Sequence, residues 1–565
     1  MKQSKELERK KLISDPIMVT TLILLVTILT IFILYPLAVL LVDSIYGDGG
    51  ISFNTFKRIM GMPNFRRAIT NTLRVGFVVG ILSTLIGLLF AYVEVYVKVG
   101  KIARALFSTV SMLPVVSPPF VLSLSMIMLF GRAGIITRHI LHIYDNSIYG
   151  YWGIVVVQTL TFFPVCYMML KGLLKNIDPS LEEAVRDMGA TRLKVFTDVT
   201  LPLMLPGLGN AFLVTFIESI ADFANPMIIG GSFDTLATTI FLQITGAYDK
   251  EGASAMAVVL LMITLMMFVV QKYYLEKKTT ETLTGKATRE RMLINDKSVV
   301  LPLTAFCSII AAFVIMMYLC VPIGALFPTW GYKFTPLTFK WFNLVFTRYN
   351  GLKAFKDSFM LSLIASPITA LLSMIISYII VKKKFFINGF IETVSMLAMA
   401  VPGTVLGVGY IRGFSSGIFG GGFLQFIYGS AAILIIVFVV RSLPTGTRSG
   451  ISALRQIDKS IEESAYDMGA NTFTVFTTVT LPLIKDSFLS GLVTSFVRSI
   501  TAISAIILLV TPQFLLITVQ INEFAEKGSY SLACAFATIL IIITYGSVMI
   551  MNQVIKHFGT SQFRT

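Results

Sequence analysis

The chain is short of charge, histidine and cysteine. Only 13% of its 565 residues are charged and 55% are hydrophobic, whereas about a quarter of a soluble domain is charged. That deficit excludes an ordinary water-facing globule. Three histidines and four cysteines leave little from which to build a metal centre. Cys166, Cys307, Cys320 and Cys534 are scattered through apolar runs without metal-ligand spacing and read as small packing residues. His139 and His142, followed by Asp145, stand at helical spacing in a loop. Two histidines without a firm third ligand make a poor site, so the pair reads as a polar loop face. A phosphate-binding loop is missing too: Gly285-Lys286 is followed by Ala287, and Thr280 stands where the first glycine belongs. The chain is therefore not expected to hydrolyse ATP, and no catalytic residue and no metal site is assigned.

What is present is a series of apolar runs of about twenty residues or more, long enough to cross a hydrocarbon core as helices. They predict an all-α polytopic membrane protein with twelve spans, near 17–42, 69–97, 105–130, 151–175, 203–222, 252–275, 299–327, 354–381, 388–412, 427–450, 483–510 and 529–554. The expected organisation is an N-terminal tail at 1–16, a first six-span half at 17–275, a basic linker at 276–298, a second half at 299–555 and a tail at 556–565. The formal net charge of +16 sits in short segments between apolar runs. That is how orientation signals are distributed, and nucleic acid is not expected as a partner. Lys2, Lys5, Arg9, Lys10 and Lys11, then Lys98, Lys101 and Arg104, then the linker from Lys272 to Lys297, then Lys382-Lys383-Lys384, are separated by even numbers of spans. They are expected on the cytoplasmic side, with both termini. Arg66, Arg67, Arg74, Lys333, Lys340 and Arg348 run against this pattern.

One polar stretch occurs twice. EEAVRDMGATRLKVFTDVTLP at 182–202 and EESAYDMGANTFTVFTTVTLP at 462–482 share thirteen of twenty-one residues, so the halves read as duplicated. Asp178 and Pro179 are suited to start a short helix, and Glu182 and Glu183 lie in its early turns, where negative charge favours the dipole. Gly189 is placed to leave that helix in a left-handed conformation. Thr191 is placed to cap a second short helix carrying Leu193, Phe196 and Val199. The second copy repeats this with Asp458, Glu462, Glu463, Gly469 and Asn471. Each copy predicts a rigid helix–turn–helix on the cytoplasmic face.

Glu183, Ala184, Val185, Gly189, Val199, Leu201 and Pro202 fit the spacing of the signature loop of bacterial ABC-importer permeases, and so do Glu463, Ser464, Ala465, Gly469, Val479, Leu481 and Pro482. The chain resembles two such permease domains fused. Within that family it resembles the fused permeases for ferric iron, through FVVRSLPTGTRSGISALRQID at 438–458, VPGTVLGVGY at 401–410 and ESIADFANP at 218–226. The resemblance implies an inner-membrane pathway worked by alternating access. It also implies coupling to two ATP-binding subunits through Glu182, Glu183, Ala184, Asp187, Gly189 and Ala190, and through Glu462, Glu463, Ser464, Asp467, Gly469 and Ala470. ATP and Mg would bind those subunits, with no cofactor on this chain, and a periplasmic or lipid-anchored binding protein would deliver the substrate. Ferric iron is the substrate expected, with organophosphates or phosphonates, thiamine and polyamines as alternatives. A secondary transporter gives no reason for two polar hairpins on one face, and a membrane enzyme lacks a nucleophile with a placed base.

The fifth spans differ between the halves. At the offset of 280, Glu218 matches Arg498 and Asp222 matches Ala502. Ionisable residues at membrane depth usually face a cavity or a partner. Glu218, Asp222 and Arg498 are therefore the candidate pathway or gate residues, and Glu218 and Arg498 are placed to form a pair. Arg441 and Glu94 are expected to snorkel or to pair at the interface.

Overall fold

The structure, a computed structural model, describes residues 16–47, 50–144, 147–275, 291–332, 335–383, 385–415 and 424–559. The N-terminal tail, Asp145, most of the basic linker including Lys286, and the end of the C-terminal tail lie outside them. Ten described helices are long and apolar enough to cross a bilayer, or eleven when the bent pair Asn388–Ala400 and Gly403–Ser415 counts as one span.

Three of the twelve expected spans differ in form, each for a local reason. The run 105–130 is broken at Ser117-Pro118-Pro119 into Lys101–Val116 and Phe120–Phe130. Proline supplies no N–H and disfavours helix at the preceding residue. The run 388–412 bends by 107° at Val401-Pro402. The run 483–510 holds one α-helix of length, Lys485–Ile500, and then turns, with a single 3-10 turn at Ile506–Leu508. ITAISAIILLV is apolar apart from Thr501 and Ser504, and such a composition fixes burial without fixing helix.

Each half packs its second span against its fourth. These are Pro63–Tyr96 with Tyr151–Asn176, and Gly351–Lys382 with Ala431–Arg455. Lipid offers no hydrophobic drive for helix association, so close approach of small residues carries it. Ser83 Oγ reaches the Thr159 carbonyl at 3.3 Å in the first half. In the second, Ser373 Oγ and Ser377 Oγ reach the carbonyls of Leu443 and Thr447 at 3.3 and 2.9 Å. Exposed Phe77, Leu85, Ile309, Leu371 and Ile542 give the outer surface its lipid-facing character.

The halves are interleaved. One core joins Val79, Phe163 and Leu170 to Val314 and Val321 of the seventh span and to Ala537 of the last. The other joins Leu29 and Ile33 of the first span to Val405, Tyr410 and Leu434. The first helix of each half thus packs on the opposite half. Buried polar contacts fix the exchange. Tyr410 Oη donates to the Phe32 carbonyl at 2.7 Å and Tyr35 Oη to that of Gly413 at 3.0 Å. Arg412 Nε donates to Asp43 Oδ2 at 2.8 Å, and a second guanidinium nitrogen bonds Oδ1. On the other side, Ser125 Oγ donates to the Met317 carbonyl at 2.6 Å and Trp330 Nε1 to that of Met128 at 3.0 Å.

Candidate functional site: paired hairpins and a central cavity

Both hairpins fold from local instructions. Asp178 Oδ1 accepts the Ser180 N–H at 3.0 Å and starts the helix Pro179–Asp187. Asp458 does the same for Ser460, also at 3.0 Å, and these bonds hold its carboxyl below the usual range. Gly189 and Gly469 end the helices with φ of +89° and +84°, where a Cβ would be strained. Thr191 Oγ1 accepts the Lys194 N–H at 3.4 Å, and Asn471 Oδ1 accepts that of Thr474 at 2.8 Å. A π-helical turn follows in each copy, Phe196–Thr200 and Phe476–Thr480, before Leu201-Pro202 and Leu481-Pro482 lead into the fifth spans. Such turns are rare and frequent at functional sites.

Glu182 and Glu462 do more than favour a helix dipole. They are 5% and 8% exposed, which places them inside the hairpins rather than on their surface. Glu182 Oε1 accepts from Tyr96 Oη at 2.6 Å and Thr200 Oγ1 at 2.8 Å, while Arg291 Nε lies 3.5 Å from Oε2. Glu462 Oε1 accepts from Thr480 Oγ1 at 2.9 Å and pairs with Lys382 Nζ at 3.3 Å. Each carboxylate ties the first hairpin helix to its own π turn and to the second span of its half. The tying groups follow the duplication. Tyr92 stacks edge-on against Phe196 as Tyr378 does against Phe476. One turn further along, Tyr96 matches Lys382 at the same offset of 286.

Where the second half has Lys382, the first draws its cation from the C-terminal part of the linker. Arg291 donates to the carbonyls of Leu174 and Ile177 at 2.9 and 2.8 Å and lies 4.1 Å above the Tyr96 ring. Ile294 exchanges backbone bonds with Tyr96 and Lys98 at 2.7 and 2.9 Å. Arg192 and Asp296 complete the contact at 3.6 Å.

The hairpin tips are exposed and partly apolar. Met188 and Met468 are 79% and 82% exposed at matched positions, beside the exposed carboxylates Asp187 and Asp467. Ala184, Glu463 and Ser464 are exposed, whereas Glu183, Ala190 and Ala470 are half-buried.

The candidate pathway residues line one cavity of about 200 Å³ between the halves, with Glu218, Asp222, Arg441 and Arg498 in its wall. Glu218 and Arg498 share this cavity, but no ion pair within 4.0 Å joins them among the described residues. The space between them takes the place of the expected pair. Asp222 is engaged in capping: it accepts from Gln158 Nε2 and Asn225 Nδ2, both at 2.8 Å, and from the Ala224 N–H at 3.0 Å. It thereby starts the short helix Ala224–Ile229. Arg441 is in the cavity wall rather than snorkelling, and donates to the Val401 carbonyl at 2.9 Å. Glu94 pairs with Lys171 at 2.6 Å. His139 Nε2 bonds the Gly331 carbonyl at 3.1 Å. The cysteines are buried and free.

Sequence reasoning missed Tyr96, Thr200, Arg291, Lys382 and Thr480. Thr200 and Thr480 carried a signal, since each follows its glutamate by eighteen residues in both copies.

The family described as "Binding-protein-dependent transport system inner membrane component" matches residues 83–280 and again 369–553. The chain is 33% identical over 561 residues to the ferric transport system permease protein FbpB of Actinobacillus pleuropneumoniae, covering 97% of this chain and 79% of that one. It is 23% identical over 535 residues to the Fe(3+)-transport system permease protein FbpB 2 of Haemophilus influenzae, covering 93% and 97%. Two matches in one chain, on the two copies of one hairpin and its helices, leave no place for a secondary transporter: this chain belongs to the inner-membrane component family of binding-protein-dependent transport systems, as two fused permease domains, and is the permease of an ABC transport system.

Proposed function

We infer that the chain forms the translocation pathway of an ATP-driven importer, and that its two hairpins each seat in one ATP-binding subunit on the cytoplasmic face. The observation that carries this reading is the duplicated hairpin: same aspartate cap, same left-handed glycine, same buried glutamate and same exposed methionine at the tip. A free connector has no need of an exposed apolar tip on a rigid base, whereas a docking knob has. The buried glutamates make each hairpin move with the second and fifth spans of its half. A push on the hairpin therefore reaches the helices that border the cavity. ATP and Mg belong to the partner subunits, both termini face the cytoplasm, and a binding protein delivers the cargo from outside. The relatives named for ferric transport support ferric iron as that cargo.

Two measurements test this reading. Gly189→Val and Gly469→Val force a β-branched residue into left-handed backbone, at a cost of about 1–3 kcal/mol each. Co-purification of the ATP-binding subunit and uptake should both fall while the chain still inserts. Normal co-purification and normal uptake in both variants would refute the coupling assignment. For the cargo, the purified cognate binding protein should carry ferric iron by metal analysis. A protein free of iron that holds an organic ligand by mass spectrometry would refute it.

A further inference from the structure

The central cavity holds charges that coupling does not explain. Of the four charged side chains in its wall, Asp222 is committed to its cap, its two oxygens accepting from Gln158, Asn225 and Ala224. Arg441 spends one N–H on the Val401 carbonyl at 2.9 Å. Arg498 and Glu218 make no hydrogen bond or ion pair among the described residues. A guanidinium offers five N–H donors in a planar fork, so two such groups with one protein bond between them leave most of their donors unfilled. Both halves contribute: Glu218 stands on the first fifth span, Arg498 on the second, and Arg441 on the fourth span of the second half. Arg441 lies within electrostatic reach of both Glu218 and Arg498. Thr501 and Ser504 add hydroxyls to the same wall.

Alternating access closes this space to each side in turn, and closing strips water from whatever charge is inside. Glu218 and Asp222 balance the two guanidinium charges in number, but among the described residues neither carboxylate forms an ion pair within 4.0 Å with Arg441 or Arg498, so the guanidinium donors stay unfilled. A buried cation without a partner is strongly destabilising. A bare trivalent cation would sit beside two arginines with one uncommitted carboxylate to ligate it. A phosphate or carboxylate group fits the same wall through paired N–H···O bonds. We propose that the cavity is a cargo site for an oxyanion: the cargo crosses bearing phosphate or carboxylate oxygens, held between Arg441 and Arg498. The proposal rests on the reading of the chain as a permease and adds the charge of what it carries. Ferric iron would pass this site as an anionic complex with its oxygen ligands.

The test is calorimetric titration of the full chain in lipid nanodiscs with inorganic phosphate, glycerol 3-phosphate, ferric citrate and, as a cation, choline. Saturable binding of an anion is expected, weakened at least tenfold by Arg498→Gln and by Arg441→Gln, and retained or tightened in Glu218→Gln. Binding confined to ferric citrate supports the site and assigns a metal complex; binding of the phosphates supports it and assigns a free ester. No anion binding to folded wild-type chain, or equal binding in both arginine variants, overturns it. So does choline binding that Glu218→Gln abolishes. Should Arg441→Gln fail to fold, Arg498→Gln decides alone, since among the described residues Arg498 has no hydrogen bond or ion pair to lose. No ATP-binding subunit is present in the titration, so its outcome is separate from that of the coupling experiments.

Discussion

Glu182 and Glu462 have the same identity, the same spacing to a threonine and the same burial, yet different cations answer them. Removing either carboxylate leaves a buried Arg291 or Lys382 without its counter-charge, which costs about 3–5 kcal/mol. Glu182→Ala and Glu462→Ala should therefore each lower the thermal unfolding midpoint. Glu182→Ala combined with Arg291→Met should recover part of the loss, because it removes the orphaned charge as well. A double variant no more stable than Glu182→Ala would refute the pairing. The caps and glycines of these hairpins were legible in the sequence because capping acts over three or four residues. The carboxylates' partners were not legible: Tyr96 lies 86 positions from Glu182, and no local rule reaches that far.

At the scale of elements, helices were readable where a long apolar run had no interior proline, as at Lys250–Leu275, and Tyr151–Asn176 stays helical through Pro164. Reading failed where an apolar run turns inside the membrane. Asp222 shows how such a turn is supported in the first half, with side chains from the third and fourth spans saturating the cap: Ser123 donates to Asn225 at 2.7 Å and Ser219 to Gln158 at 2.6 Å. In the second half Thr518 Oγ1 donates to the freed Ala502 carbonyl at 2.8 Å. Non-helical backbone at depth is tolerated when protein satisfies it in this way. The fifth spans also change what is expected of Glu218 and Arg498. Because no ion pair within 4.0 Å joins them among the described residues, Glu218→Ala and Arg498→Ala should show a coupling energy below about 1 kcal/mol in thermal stability. A coupling energy above about 1 kcal/mol would mean that the two residues pair directly after all.

Interleaving governs the whole molecule. The two copies of the sequence do not form two separate cores, because the first helix of each half packs on the other. The duplication was legible at the hairpins; the exchange was not, since nothing in an apolar helix names its neighbour. Asp43 and Arg412 lock one side of the exchange, with Asp43 7% exposed. Asp43→Asn should destabilise the chain by about 3–5 kcal/mol, and Asp43→Asn with Arg412→Gln by less, as read by thermal unfolding in detergent. An unchanged midpoint in Asp43→Asn would remove the lock from the account. The central claim, that each tip docks one ATP-binding subunit, is tested most directly by crosslinking. The native cysteines are buried, so a cysteine placed at Met188 or Met468 is the reactive one. In an assembled, transport-competent complex each single variant should crosslink one ATP-binding subunit, and the double variant two. A complex that transports normally and gives no crosslink from either position would contradict the account.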